Sequence, residues 1–245
     1  MGATRFFVSG VYAEGDVATL ADDDARKVLV VLRKTAGAPL EIVDSSGRAY
    51  AARLVVDGSS ARASLDRAVD PAAPAALRLT LAQGIPKGQK MDFVVEKATE
   101  LGVARIVPFS SERTVGGDAA RDGKLERWRR LARTAAQQCG RADVPAVDAP
   151  LAFPELVTTI GGFDATFVPW ELAEARPLRE VLPALLAGIR DALVVIGPEG
   201  GLAAAEVDAA RAGGAHVISL GRRIFRTETA ALVTCSALAY AAGDL

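Results

Sequence analysis

Histidine, cysteine and aromatic residues are all scarce in this chain of 245 residues, and each scarcity excludes some chemistry. His216 is the single histidine. A histidine-based triad or a histidine-rich zinc site needs partners that the chain lacks. His216 follows Gly213-Gly214 and reads as the head of an apolar strand. The two cysteines, Cys139 and Cys235, have no short spacing, so they form neither a disulfide framework nor a metal site. Each is expected to be a small core residue, and no metal is expected. No apolar run approaches the roughly 18 residues that span a bilayer. The start of the chain has no basic segment followed by an apolar one. A cytoplasmic location without a membrane partner is therefore expected. Net charge is nearly absent as well, with 29 Lys and Arg against 30 Asp and Glu, so the chain as a whole is not a basic nucleic-acid binder. Aromatics make up 5%, which leaves the core to Ala, Val and Leu and suits an α/β protein.

Half of the residues are hydrophobic, enough for a sizeable core. The length allows one large domain or two modest ones. Residues 4 to about 70 read as strands and turns. Thr4 to Val8 is a short strand. Leu40 to Asp44 and Ala49 to Val56 flank the turn signal Ser45-Ser46-Gly47 and predict a hairpin. Ala61 to Val69 supplies another strand, and Asp24 to Leu32 a short helix. Asp70-Pro71-Ala72-Ala73-Pro74-Ala75-Ala76 reads as a linker that closes a small β-rich domain.

From Leu77 the pattern alternates strand and helix. Leu77 to Ala82 is a strand, closed by Gly84 and Pro86. Gln89 to Leu101 carries Met91, Val94, Val95, Ala98 and Leu101 at helical spacing, and Gly102 stops it. Ala104 to Phe109 is the next strand. Leu125, Trp128, Leu131, Ala132, Ala135 and Cys139 predict the buried stripe of a long helix. Ala165 to Trp170, Leu193 to Ile196 and Val217 to Leu220 are three further strands. Repeated βα units with continuous apolar strands imply a parallel sheet covered on both faces.

Ligands of open α/β sheets bind at the carboxyl ends of the strands. Pro169-Trp170-Glu171, Gly197-Pro198-Glu199-Gly200-Gly201 and Leu220 to Arg226 all lie at such ends. Glycines there let the main chain approach a ligand closely. Gly-Pro-Glu-Gly-Gly alone fits a tight turn as well as a ligand loop; the convergence of three strand ends favours the ligand. Neither the dinucleotide glycine fingerprint nor the Walker phosphate loop is present, and Pro198 has no N–H to offer a phosphate. A cofactor without phosphates suits such a pocket, and S-adenosylmethionine is one. Glu199 reads as an orienting carboxylate, with general base as the alternative. Thr227 suits an N-cap, and Glu228 faces the positive end of the last helix. Between Arg121 and Arg141, seven cations stand against two acids. That run fits either a solvated helix face or, with Gln137, Gln138 and Gly140 at its end, a surface for RNA phosphates.

These segments together resemble the ribosomal RNA small subunit methyltransferase E family of the SPOUT superfamily. Ile196-Gly197-Pro198-Glu199-Gly200-Gly201 and Leu220-Gly221-Arg222-Arg223-Ile224-Phe225-Arg226-Thr227-Glu228-Thr229-Ala230 carry the resemblance. It extends through Lys97 to Val103, Ser111-Glu112-Arg113, Lys124 to Trp128, Gln138 to Arg141, Thr4 to Val8 and Asp44 to Gly47, and so covers nearly the whole chain. It implies a PUA-like β-barrel over residues 1–72 that binds RNA. It further implies a SPOUT α/β domain over 73–245 with a deep trefoil knot at roughly 165–235. Implied as well are a homodimer, S-adenosylmethionine as cofactor, and methylation of N3 of one uridine in 16S rRNA of the small ribosomal subunit. The implied cofactor positions are Pro169, Trp170, Glu171, Ile196, Gly197, Pro198, Glu199, Gly200, Gly201, Leu220, Gly221, Ile224, Phe225 and Arg226. Arg226 and Glu199 are the candidate catalytic residues. Arg5, Lys27, Arg33, Arg113, Lys124, Arg129, Arg133, Gln138 and Arg141 are the candidate RNA contacts. Three departures stand out. Ala203 replaces the usual Ser or Thr that completes a capping box with Glu206, Phe225 stands where leucine is usual, and Lys27 where histidine is frequent.

Rival readings are a non-catalytic RNA-binding or ribosome-assembly protein, a nucleotide-dependent oxidoreductase, and a SPOUT methyltransferase acting on another nucleotide. The missing dinucleotide fingerprint argues against the second.

Overall fold

A computed structural model describes residues 3–69, 75–114, 123–171, 176–185 and 188–245. Residues 70–74 of the expected linker 70–76, and the cation Arg121, lie outside them. The chain divides into two compact units, Met1–Ala73 with Ala136–Asp143, and Pro74–Ala135 with Val144–Leu245.

The first unit is built on one five-stranded sheet. Its elements are β1 (Thr4–Phe7), β2 (Val17–Thr19), α1 (Asp22–Arg26), β3 (Pro39–Val43), β4 (Ala49–Asp57) and β5 (Ser60–Val69). The strand order is β1-β3-β4-β5-β2. The pair β1–β3 is parallel and the others are antiparallel. The turn between β3 and β4 is organised by buried Asp44. Its Oδ1 accepts the Ser46 hydroxyl at 2.6 Å, the Ser46 N–H at 2.8 Å and the Arg48 N–H at 3.1 Å, and its Oδ2 accepts the Tyr12 N–H at 3.2 Å. Burial alone would raise the pKa of this carboxyl, but those donors outweigh it and hold it below the usual aspartate value. Phe6, Leu40, Ile42, Tyr50, Leu54 and Leu65 fill the core of the unit. The expected helix at 24–32 begins two residues earlier and changes at Lys27 into a π-helical turn, Lys27–Val31.

The second unit alternates strand and helix: β6 (Arg78–Gly84), α2 (Lys90–Glu100), β7 (Arg105–Ser110), α3 (Lys124–Cys139), β8 (Ala146–Val147), β9 (Leu151–Ala152), α4 (Phe153–Thr159), β10 (Ala165–Pro169), β11 (Arg176–Pro177), α5 (Leu178–Leu185), β12 (Asp191–Ile196), α6 (Ala204–Ala212), β13 (His216–Ser219) and α7 (Thr227–Ala242). The sheet order is β11-β13-β10-β12-β6-β7-β8, with β9 also on β7, and every pairing is parallel. Alternate residues of each strand feed two cores, as the period-2 geometry of a strand requires. Leu79, Leu81, Val194 and Ile196 pack with Met91, Val94, Trp128 and Leu238. Ala82, Leu193 and Val195 pack with Phe153, Leu156 and Val207. Helices therefore cover both faces of the sheet, as the unbroken apolar strands predict.

Cys235 is buried, and burial pushes its thiol up to about 12. Cys139 is exposed, against expectation. Ala135, Ala136 and Gln137 take the buried positions of the last turn of α3, so the covered stripe turns away from Cys139. His216 opens β13, half-buried, with its ring centroid 6.0 Å from that of Phe167.

Candidate functional site

Because β6, β12, β10 and β13 are adjacent and parallel, their carboxyl ends, Gly84, Ile196, Pro169 and Ser219, come to one edge of the sheet. A cleft opens there. Its larger recess, about 420 Å³, is lined by Pro169 to Glu171, Ile196 to Leu202, Ile224 to Thr227, Lys90 and Ala230. A smaller one, about 120 Å³, shares Pro169 to Glu171, Ile224, Phe225 and Ala230 with it and adds Ser219 to Arg223. Every position expected to hold a cofactor lines one recess or both. Sequence reasoning missed Lys90, whose signal is its place at the start of the helix that follows the β6 strand end.

Two glycines explain why these loops need their sequence. A Cβ on Gly84 would stand 2.5 Å from the nitrogen of Pro198, so the end of β6 meets the Gly197-Pro198 turn backbone to backbone. Gly221 has φ +107, a conformation that L side chains rarely adopt, and nothing stands within 4 Å of where its Cβ would be.

Polar contacts fix the loops to each other. The Thr227 hydroxyl donates to the Gly197 carbonyl at 2.6 Å and accepts the Gln83 side-chain amide at 2.8 Å. Gln83, fully buried, also donates to its neighbour Gly84 O at 3.0 Å. Thr227 is thus not the N-cap that its sequence position suggests. Arg226 takes that place with extended dihedrals, and Thr227 is the first helical residue. Its hydroxyl is engaged by the buried Gln83 amide and the half-buried Gly197 carbonyl. Buried Glu206 makes a second tie. Its Oε2 accepts the Ala203 N–H at 2.8 Å, half of a capping box, and its Oε1 accepts the Glu112 N–H at 2.9 Å. Arg113 donates to Gly200 O at 3.3 Å. The turn after β7 is thereby joined to the glycine loop.

Lys90, Arg226, Glu171 and Glu199 are the charged side chains on the larger recess, two of each sign. Glu199 forms an ion pair with Lys90 at 2.7 Å and accepts the Lys87 N–H at 3.1 and 3.2 Å. Burial raises its pKa, but the Lys90 ammonium and the surrounding N–H donors win and hold the carboxyl below the usual glutamate value. A carboxylate so held is a poor proton acceptor near neutral pH. Arg226 is exposed and has no ion pair among the described residues. The larger recess, balanced in charge and walled largely by backbone, fits a phosphate-free, zwitterionic nucleoside cofactor better than a nucleotide, while Arg222 and Arg223 lie on the smaller one.

The candidate RNA residues fall in both units. In the first, Arg5 pairs with Glu41 at 2.5 Å and donates to the Gly140 carbonyl, while Lys27 donates to Gln137 Oε1 at 2.9 Å with its ammonium 5.9 Å from the Phe6 ring centre. Gln137 also donates to Asp24 at 2.9 Å. Arg141 pairs with Asp143 at 2.7 Å, and Arg33 and Gln138 are exposed. In the second, Lys124 is exposed, Arg133 is half-buried, and Arg129 bonds Val147 O at 3.1 Å and Glu126 at 2.8 Å.

A sequence profile of the RNA methyltransferase domain matches residues 73–239. Ribosomal RNA small subunit methyltransferase E of Bacillus subtilis is 35% identical over 169 residues, which make up 67% of this chain and 66% of that protein. Its namesake in Mycobacterium bovis is 32% identical over 245 residues, 97% of this chain and 92% of that one. The crystal structure of a ribosomal RNA small subunit methyltransferase E from Neisseria gonorrhoeae bound to S-adenosyl methionine superposes with a TM-score of 0.84 at 30% identity, covering 97% of each chain. The match in sequence over nearly the full length, and in overall fold, places this chain in the ribosomal RNA small subunit methyltransferase E family.

Proposed function

We propose that the chain is an S-adenosylmethionine-dependent methyltransferase that acts on N3 of one uridine in 16S rRNA during maturation of the small ribosomal subunit. The observation that carries this reading is the cleft where the loops after β10, β12 and β13 meet. Full-length relatives named for ribosomal RNA methylation support it, as does a relative bound to S-adenosyl methionine. Bound there, the cofactor supplies a sulfonium methyl group.

The remaining work falls to the chain. The loops from Pro169, Ile196 and Leu220 bind through backbone. Arg226 stabilises the negative charge that gathers on the uracil carbonyls as N3 loses its proton. Glu199, already paired, orients rather than takes the proton. Fixed loops hold the reactants in place and supply much of the acceleration. The target base leaves its stack to reach the cleft. Residues 1–72 act as a PUA-like barrel and residues 73–245 as the SPOUT domain, whose return from β13 to α7 forms the knot. Support comes from the sheet order. β13 lies beyond β10, yet α7 packs back over β12, β6 and α2, so the chain must cross the strand ends. A homodimer in the cytoplasm, with RNA held by the barrel and by Arg113, Lys124, Arg129, Arg133 and Arg141, completes the reading.

Turnover of Arg226→Ala and Glu199→Gln tests the site. A large loss of kcat in the arginine variant is expected, and near-normal turnover in both would refute the assignment. Charge reversal at Arg129, Arg133 and Arg141 should weaken RNA binding and flatten its salt dependence.

A further inference from the structure

Lys90 is the first residue of α2, and with Arg226 it supplies the cations of the larger recess. Its ammonium lies 2.7 Å from Glu199 Oε1 while 38% of the side chain stays open. That contact uses one of three N–H donors. The carboxylate that holds it is itself held by the main chain, because both oxygens accept the Lys87 N–H. Exposed ion pairs contribute little to stability, so stability gives small reason for this one. Uridine chemistry gives a better one. When N3 loses its proton, the charge spreads over two carbonyl oxygens, O2 and O4, one on each side of the nitrogen. The recess offers two cations for those two oxygens.

We propose that Lys90 is a second cationic catalytic residue, stabilising the uracil anion together with Arg226, and that Glu199 is the positioning residue that holds it. The inference rests on the uridine N3 reading above. The N3–H bond breaks, its electron pair stays on the ring, and the proton passes to water. The N3 pair then forms the N–CH3 bond while the sulfonium S–CH3 bond breaks and returns its pair to sulfur. Neither Lys90 nor Glu199 gives or takes a proton in this step. The pairing of Glu199 with Lys90 and with Lys87 N–H leaves it no useful basicity, which is why water takes the proton.

The test compares the full chain with Lys90→Met, Lys90→Arg and Glu199→Gln on small-subunit RNA carrying uridine or 5-fluorouridine at the target. Fluorine makes N3 more acidic and lessens the need for cations. Lys90→Met should lose about 100-fold in kcat on uridine, the scale of one lost oxyanion donor. Lys90→Arg should recover most of it, and Glu199→Gln should fall between. The Met defect should shrink on 5-fluorouridine and at higher pH, with the calorimetric Kd for S-adenosylmethionine unchanged. Fluorine NMR of the bound 5-fluorouridine, with S-adenosylhomocysteine present, should give a higher N3 pKa in the Met variant than in the parent. An equal defect on both bases at every pH would mark a merely structural lysine and overturn the inference. A raised cofactor Kd with kcat preserved would mark a cofactor ligand and also overturn it, as would an unchanged N3 pKa. Nucleoside mass spectrometry of the parent's product runs alongside. Absence of 3-methyluridine there would overturn the uridine reading itself, and this inference with it.

Discussion

The Thr227 hydroxyl donates to the Gly197 carbonyl oxygen over 2.6 Å, and this bond joins the start of the last helix to the glycine loop of the cleft. Thr227→Val keeps the shape of the side chain but removes the hydroxyl from that carbonyl and leaves the Gln83 amide only its bond to Gly84 O. A loss of about 1–3 kcal/mol is expected for stranding buried polar groups, together with weaker S-adenosylmethionine binding; Thr227→Ser should retain both properties. Urea unfolding and calorimetric titration measure them. Unchanged stability in the valine variant would show that the two groups are satisfied elsewhere.

Gly84 tests the close approach of β6 to the Gly197-Pro198 turn. A methyl group at 2.5 Å from backbone has nowhere to go, so Gly84→Ala must displace the turn. Overpacking of this kind costs about 1–3 kcal/mol. The displaced turn lines the recess, so cofactor affinity should fall along with stability. Normal affinity in a folded Gly84→Ala protein would contradict the backbone-built cleft.

Ala203 offers a gain. It occupies the N-cap of α6 with φ −69 and ψ 152, extended as a cap requires, but has no side-chain acceptor. Glu206 already supplies the reciprocal half. Ala203→Ser completes the box and should add about 1 kcal/mol, read as a higher midpoint in urea with an unchanged m-value. No gain would mean that the serine hydroxyl fails to reach the first turn.

These contacts also show what the sequence could and could not convey. Five strands of the second unit, β6, β7, β10, β12 and β13, were legible as apolar runs, of which Leu193 to Ile196 ends abruptly in glycine, whereas β8, β9 and β11, two residues each, lack such runs. The cleft was legible because three such ends carry the loops that line it. The role of Thr227 was not, because its partners Gln83 and Gly197 lie far away in sequence and local capping rules see only neighbours. Lys90 was hidden for the same reason, since Glu199 is its partner only after the sheet order brings β12 beside β6. Cys139 fits the helical period of α3, yet the period does not say where the covering layer ends. β2 is only three residues long and lacks a run of its own.

Asp44 carries the pH dependence of the first unit. Its folded pKa lies below the ordinary 3.8, so ionised Asp44 contributes stability that is present above that value and lost as pH falls through the folded pKa. Asp44→Asn should cost about 2 kcal/mol at neutral pH, the scale of hydrogen bonds to a charged acceptor. The gap between parent and variant should close in acid. Urea midpoints across that range check the sign, and a gap that widens in acid would reverse it.

The most direct measurement is transfer of labelled methyl from S-adenosylmethionine to small ribosomal subunits that lack the modification, with nucleoside mass spectrometry of the product. The account predicts 3-methyluridine at a single site in 16S rRNA, made by the parent chain and lost with Arg226→Ala. A folded chain that binds cofactor and competent subunits yet leaves every uridine unmethylated would contradict it.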